Sequence, residues 1–235
     1  MGRIFEKRKH KMFARFDKMA KAFTRIGKDI AIAVKNGGPL PENNPKLRLA
    51  IQNAKGANMP KDRVEAAIKR ASSKEEKDYQ EVTYEGYGPH GVPIIVECAT
   101  DNPTRTVANV RLHFAKNGGS MGNSGSVAFL FERRGVFKFD PSKLNLDELE
   151  LDLIDAGAED IEKNEEEIVV YTKFTEFGHM QKFIESKNLD AKSSEIHYIP
   201  TMTKELSEEQ QDEVLKLIEV MEADDDVQQV YHNLA

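Results

Sequence analysis

Between residues 135 and 199 the chain alternates strand-like and helix-like patterns in a single order, and that order restricts the fold more than any other feature. Residues 135–139 read as strand. Residues 146–156 read as helix, with Leu149, Leu153 and Ile154 on one apolar side. A short strand over 160–163 and a stronger one over 168–173 follow. A second helix over 177–187 carries Met180, Phe183 and Ile184, and a strand over 194–199 closes the series. The order β-α-β-β-α-β is that of a ferredoxin-like module. After Pro200 come a helix over 207–221, capped by Ser207 and striped with Val214, Leu217, Ile218 and Met221, and a last strand over 226–231. This final pair has no partner of its own. Upstream, residues 79–134 are short of elements. They offer a hairpin (82–87 and 92–99 around Gly88-Pro89-His90-Gly91), a helix with Val107, Val110, Leu112 and Phe114, a Gly-rich loop over 116–126 and a third strand over 127–131. They lack a second helix and a fourth strand. If the two pieces complete each other, an open sheet edge and a homeless apolar helix face are both satisfied, and the module at 135–199 is an insertion.

The first third has a different period. Met12, Phe16, Met19, Phe23, Ile26, Ile30 and Ala33 form one helical stripe, which Gly37-Gly38-Pro39 stops. Asn44-Pro45 is an N-cap followed by Pro at the first helical position. It opens a second helix with Leu47, Leu49, Ala50, Ile51 and Ala54. A third helix starts at Pro60, carries Val64, Ala67 and Ile68, and ends near Ser72-Ser73. The polar run 74–78 reads as a linker. The expected fold class is α+β: an N-terminal three-helix domain (1–78) followed by two α+β domains. The ferredoxin-like one (135–199) is inserted into the middle one (79–134 plus 200–235).

Charge is segregated along this frame. Residues 1–77 hold 20 Lys and Arg against 8 Asp and Glu, a net of +12, whereas the rest of the chain nets -18. Such asymmetry suits one end to a polyanion; the alternative is a basic domain that docks on its own acidic neighbours. The candidate nucleic-acid-binding residues are Arg3, Lys7, Arg8, Lys9, Lys11, Arg15, Lys18, Arg25 and Lys28 on the first segment. Lys61, Arg63, Lys69 and Arg70 follow on the third helix, and Arg105 on the middle-domain helix. Contacts from such residues release counterions from phosphates and position a protein without reading sequence. For Arg105, pairing with local carboxylates is the competing role.

Other chemistries find little support. The Gly-rich loop 116–126 runs from helix into strand, the reverse of a phosphate loop, and no Gly-Lys-Ser/Thr ends it. The six histidines show no metal-ligand spacing, and the single cysteine, Cys98, lies in an apolar strand. No nucleophile–base pair or catalytic carboxylate arrangement stands out. The expectation is therefore a monomeric, non-enzymatic protein with no catalytic residues, cofactor, metal or small-molecule substrate. With one cysteine, no long apolar run and no secretory signal, a reducing cytoplasm is the expected compartment. An enzyme with a cleft between the domains is the outlying alternative. The acidic runs at 165–167 and 224–226 are expected to be solvated surface.

Several strings, in order along nearly the whole chain, resemble the YebC family, which includes the mitochondrial translational activator of cytochrome oxidase subunit synthesis. They include Phe23-Thr24-Arg25, Ala57-Asn58-Met59-Pro60-Lys61-Asp62, Tyr84-Glu85-Gly86-Tyr87-Gly88-Pro89, Thr100-Asp101-Asn102, Gly125-Ser126-Val127-Ala128-Phe129, Ala156-Gly157-Ala158-Glu159-Asp160 and Asp226-Val227-Gln228-Gln229-Val230-Tyr231. The resemblance implies the same three domains and either of two roles. One is transcriptional regulation on DNA; the other is a translation factor that reaches ribosomal RNA on the ribosome. The family's Gly-His-Ser-Lys-Trp start is absent: residues 1–11 are basic, and the chain has no Trp. Phe5 is the one aromatic there to stand in.

Overall fold

The computed structural model describes residues 2–73 and 78–235, with side chains from residue 19 onward. The chain forms two compact units, Met1–Lys77 and Asp78–Ala235. In the first, α1 (Gly2–Gly37), α2 (Pro45–Gly56) and α3 (Lys61–Ala71) form a helical bundle. α1 starts at Gly2 rather than near Met12. Residues 3–11 contain no Gly or Pro and are rich in the helix formers Arg, Lys and Glu, but they carry too little apolar period to mark a helix. Ile30, Ala33, Val34, Leu47, Ala50, Ala54, Val64 and Ala71 form the buried interior, and the small alanines let the helices approach closely.

Asn44 fixes the turn between α1 and α2. Its side-chain amide donates to the carbonyls of Ala33 (2.7 Å) and Gly38 (2.9 Å), while its Oδ1 accepts from the Leu47 N–H at 3.0 Å. The first two bonds satisfy the end of α1, the third the start of α2. A Cβ at Gly37 would lie 2.7 Å from the Asn44 Cγ, so glycine leaves the room that Asn44 fills. Asn44→Ala is expected to lower stability by about 2 kcal/mol through lost cap and orphaned carbonyls, which urea unfolding monitored by helical dichroism measures.

The second unit contains β1 (Gln80–Tyr87), β2 (Pro93–Thr100), α4 (Pro103–Lys116), β3 (Ser120–Met121), β4 (Phe131–Phe139), α5 (Leu146–Asp155), β5 (Ala158–Lys163), β6 (Ile168–Lys173), α6 (Phe177–Ser186), β7 (Ala191–Pro200), α7 (Glu208–Ala223) and β8 (Val227–His232). One sheet runs β3-β1-β2-β8. The C-terminal strand therefore pairs with the early hairpin, with Val230 opposite Val96. α4 and α7 cover one face, around Ile94, Val96, Cys98, Val110, Phe114, Leu217 and Met221. α7 opens with a capping box between Ser207 and Gln210. The other sheet, β5-β6-β4-β7, has the ferredoxin-like order. Its helices enclose Phe137, Phe139, Leu153, Ile168, Val170, Met180 and Ile184.

Residues 127–131 are not the expected third strand. Ala128–Leu130 is a 3-10 turn, and the chain passes from it directly into β4 at Phe131. The third strand is Ser120–Met121, inside the stretch that reads as a Gly-rich loop. The apolar run at 127–131 has another cause. Val127 and Phe131 pack on Ile95 with Leu130, Tyr198 and Tyr231, joining the two sheets. β3 comes close to β1 because Gly86 has no side chain: a Cβ there would sit 2.5 Å from the Ser120 carbonyl oxygen.

The turn at 125–128 is clamped by Glu85. Only 6% exposed, its carboxylate accepts backbone N–H bonds from Gly125 (2.7 Å), Val127 (2.8 Å) and Ala128 (2.8 Å). Burial alone would raise the Glu85 pKa, but the three N–H donors outweigh it and hold the carboxyl below its usual range. A depressed native pKa contributes stability above the unfolded-state value of about 4.3, lost as pH falls through the native value. Glu85→Gln is expected to cost about 2 kcal/mol at neutral pH. The difference from wild type should shrink below about pH 4, as a pH series of denaturation midpoints will record.

Candidate nucleic-acid interface

The fold sorts the candidate cations into distinct environments. Lys61, Arg63, Lys69 and Arg70 are all exposed on α3. Arg63 and Arg70, seven residues apart, share a helix face. The Arg63 guanidinium lies 5.6 Å from the centre of the half-buried Phe23 ring, which joins α3 to α1 at the Phe-Thr-Arg string. Lys61 stands 3.5 Å from Glu65, but both side chains are well exposed, so the pair holds Lys61 only weakly. Pro60 precedes α3 and Asp62 lies in its first turn, while Lys69 and Arg70 sit in its last turn, where the helix dipole favours cations.

On α1, Arg25 is half-exposed and Lys35 exposed. Lys28 departs from the expected open row: it is 7% exposed. Three and four residues on stand the buried Ala31 and Ile32, which share its face, so its position is interior. The side chains of Arg3, Lys7, Arg8, Lys9, Lys11, Arg15 and Lys18 lie outside the described residues, although their backbone belongs to α1.

Arg105 is committed to carboxylates. Its Nη2 lies 2.7 Å from Asp226 Oδ2 and 2.8 Å from Asp101 Oδ1, and these bonds, the one to Asp226 foremost, raise its pKa further. Asp226 is itself 6% exposed and also accepts from the Thr106 hydroxyl at 2.8 Å and the Thr100 hydroxyl at 3.2 Å. The run 224–226 is thus not solvated surface throughout: its last member is a buried anchor between β8 and α4. Asp224 pairs with His113 at 3.2 Å.

The ferredoxin-like sheet presents no free row of cations either. On its face away from α5 and α6, Arg134 pairs with Glu132 (2.8 Å), Lys138 with Glu167 (3.2 Å) and Lys173 with Glu159 (3.4 Å). Arg134, Lys138 and Lys173 are matched locally there, whereas among the described residues Lys61 is the α3 cation that stands near a carboxylate. Glu97 is a half-buried carboxyl whose pKa desolvation raises, and the Tyr231 hydroxyl bonds it at 3.1 Å. Cys98 is buried. Among the described residues, no cluster of three or more His, Cys, Asp or Glu side chains is arranged to hold a metal ion, and no helix is long and apolar enough to cross a membrane.

Comparison with known proteins divides the chain at the same place as its two compact units. Residues 3–74 match the TACO1/YebC protein N-terminal domain, and residues 79–234 match the TACO1/YebC second and third domain. The chain belongs to the TACO1/YebC family. It is 58% identical over its full length to the whole of a "probable transcriptional regulatory protein" of Anaeromyxobacter dehalogenans, and 55% identical, again end to end, to one of Myxococcus xanthus. The crystal structure of a conserved hypothetical protein from Aquifex aeolicus is similar at a TM-score of 0.80 and 39% identity, over 92% of this chain and 90% of that one.

Proposed function

We propose that this protein is a regulator of gene expression that binds DNA through its basic N-terminal unit, without catalysis. In this reading residues 1–78 are the nucleic-acid-binding domain. Residues 79–134 with 200–235 form the middle domain, and 135–199 the insert that it carries. The observation that supports it most is the set of four exposed cations on α3, of which, among the described residues, Lys61 alone stands near a carboxylate, in contrast to Arg105 and to the cations on the open face of the ferredoxin-like sheet, which are paired. The relatives' name, probable transcriptional regulatory protein, agrees with it. Phosphates satisfy such cations by counterion release, and the Phe23–Arg63 pair adds an apolar, cationic platform.

One observation favours a second target. The chain outside residues 1–77 nets -18 and is repelled along a duplex, whereas a ribosome presents RNA beside basic proteins. That reading makes the protein a translation factor using the same N-terminal cations on ribosomal RNA. Gradient sedimentation of a lysate, with and without nuclease and at two salt concentrations, separates them. Sedimentation at the top of the gradient together with salt-sensitive retention on duplex DNA supports transcription. Salt-sensitive co-migration with ribosomal particles makes translation the function. Absence of both behaviours refutes nucleic-acid binding.

A further inference from the structure

The outer side of α5 departs from ordinary helix chemistry. Leu151 is 77% exposed and Ile154 50% exposed, three residues apart on one face, while Leu153 alone of the helix is fully buried. Around this pair stand Asp147, Glu148, Glu150 and Asp155, all exposed, and the helix contains no Lys or Arg. Asp147 and Glu148 lie in the first turn, where the dipole favours anions. That account fails for Asp155 in the last turn, where the dipole is already negative and an added anion is unfavourable. Beside Asp155 the surface dips into a depression of about 230 Å³, with Ala156 and Phe183 contributing apolar surface and Asp152, His179 and Lys187 completing its lining. Two exposed apolar side chains, a neighbouring depression with apolar surface at Ala156 and Phe183, and four exposed carboxylates, against the one Lys187 that Asp152 already pairs at 2.8 Å, together fit a ligand that is apolar at its centre and cationic at its edge. A nucleic acid is excluded by the charge.

We propose that this face is a docking surface for a lysine- and arginine-rich helical segment of another protein, bearing apolar side chains one turn apart. The apolar pair supplies the anchor and the surrounding carboxylates choose the sign of the partner. The site lies on α5, α6 and the residues that end them, Ala156 and Lys187, and does not depend on nucleic-acid binding by the N-terminal unit.

The test is fluorescence anisotropy of the full chain with a labelled synthetic amphipathic helix of leucine and lysine, and with the same residues in scrambled order. The expected result is binding of the amphipathic peptide at least about tenfold tighter than of the scrambled one. L151S/I154S is expected to weaken it about tenfold, and E150Q/D155N to reduce its salt dependence. All four side chains are exposed, so the fold is retained, which circular dichroism checks. Failure of the amphipathic peptide to bind, equal binding of the scrambled peptide, or unchanged affinity in L151S/I154S overturns the proposal. Concentration-dependent self-association of the chain that L151S/I154S abolishes also overturns it, by assigning the face to a second copy.

Discussion

Replacing Lys61, Arg63, Lys69 and Arg70 by glutamate is expected to weaken nucleic-acid binding about a hundredfold or more at moderate salt. Each phosphate contact contributes close to 0.9 to the slope of log affinity against log salt. Losing four such contacts therefore flattens the slope by roughly 3 to 4 as well as lowering the affinity. The loss should be similar across sequences, because phosphate contacts carry none of the specificity. The side chains are exposed, and the α3 residues that reach the interior are Val64 and Ala71. The cost in stability is limited to about 1 kcal/mol, from placing anions in the last turn at 69 and 70. Gel-shift titration on duplex DNA and on structured RNA measures the effect. If both the slope and the affinity are retained, α3 is not at the interface.

The second large effect concerns Asp226. Asp226→Ala is expected to destabilise the second unit by about 3 kcal/mol, since it removes a buried carboxylate that serves two buried hydroxyls and one guanidinium. Thr100 and Thr106, both fully buried, lose an acceptor at once. The Ala99 N–H bond to the Asp226 carbonyl, 2.9 Å long, and the pairing of Val227 with Cys98 remain to hold the start of β8 on β2. Asp226→Asn keeps the shape but loses the charge facing Arg105, so its cost should be smaller. Urea unfolding should show a lower midpoint at unchanged slope, and equal midpoints for wild type and Asp226→Ala contradict the anchoring role.

Period and punctuation made much of this architecture legible in the sequence. The alternation of elements at 135–199, the Ser207 cap and the unpaired final helix and strand pointed to a sheet completed from the C-terminus, and β8 lies against β2. Asn44-Pro45 and Pro60 marked helix starts correctly because capping is local chemistry. The failures share a cause. Residues 127–131 have the apolarity of a strand, but their partners, Ile95, Tyr198 and Tyr231, are distant in sequence. Lys28 counted as one more cation because its fraction of exposure depends on which face of α1 is covered. Arg105 was open between phosphate and carboxylate until Asp226, 121 residues away, met it. The buried carboxylates of Glu85 and Asp226 left no sequence signal, since an acidic residue in a strand or turn reads as surface until its donors are known.

Salt-dependent anisotropy of the intact protein on a labelled DNA duplex and a labelled structured RNA tests the central claim most directly. The account predicts that at least one of the two binds with log affinity falling linearly and steeply as log salt rises, at a slope of about -4 or beyond, consistent with several phosphate contacts. Affinity that is absent at low salt, or indifferent to salt, for both nucleic acids would contradict it and leave the basic unit as a partner for the protein's own acidic surface.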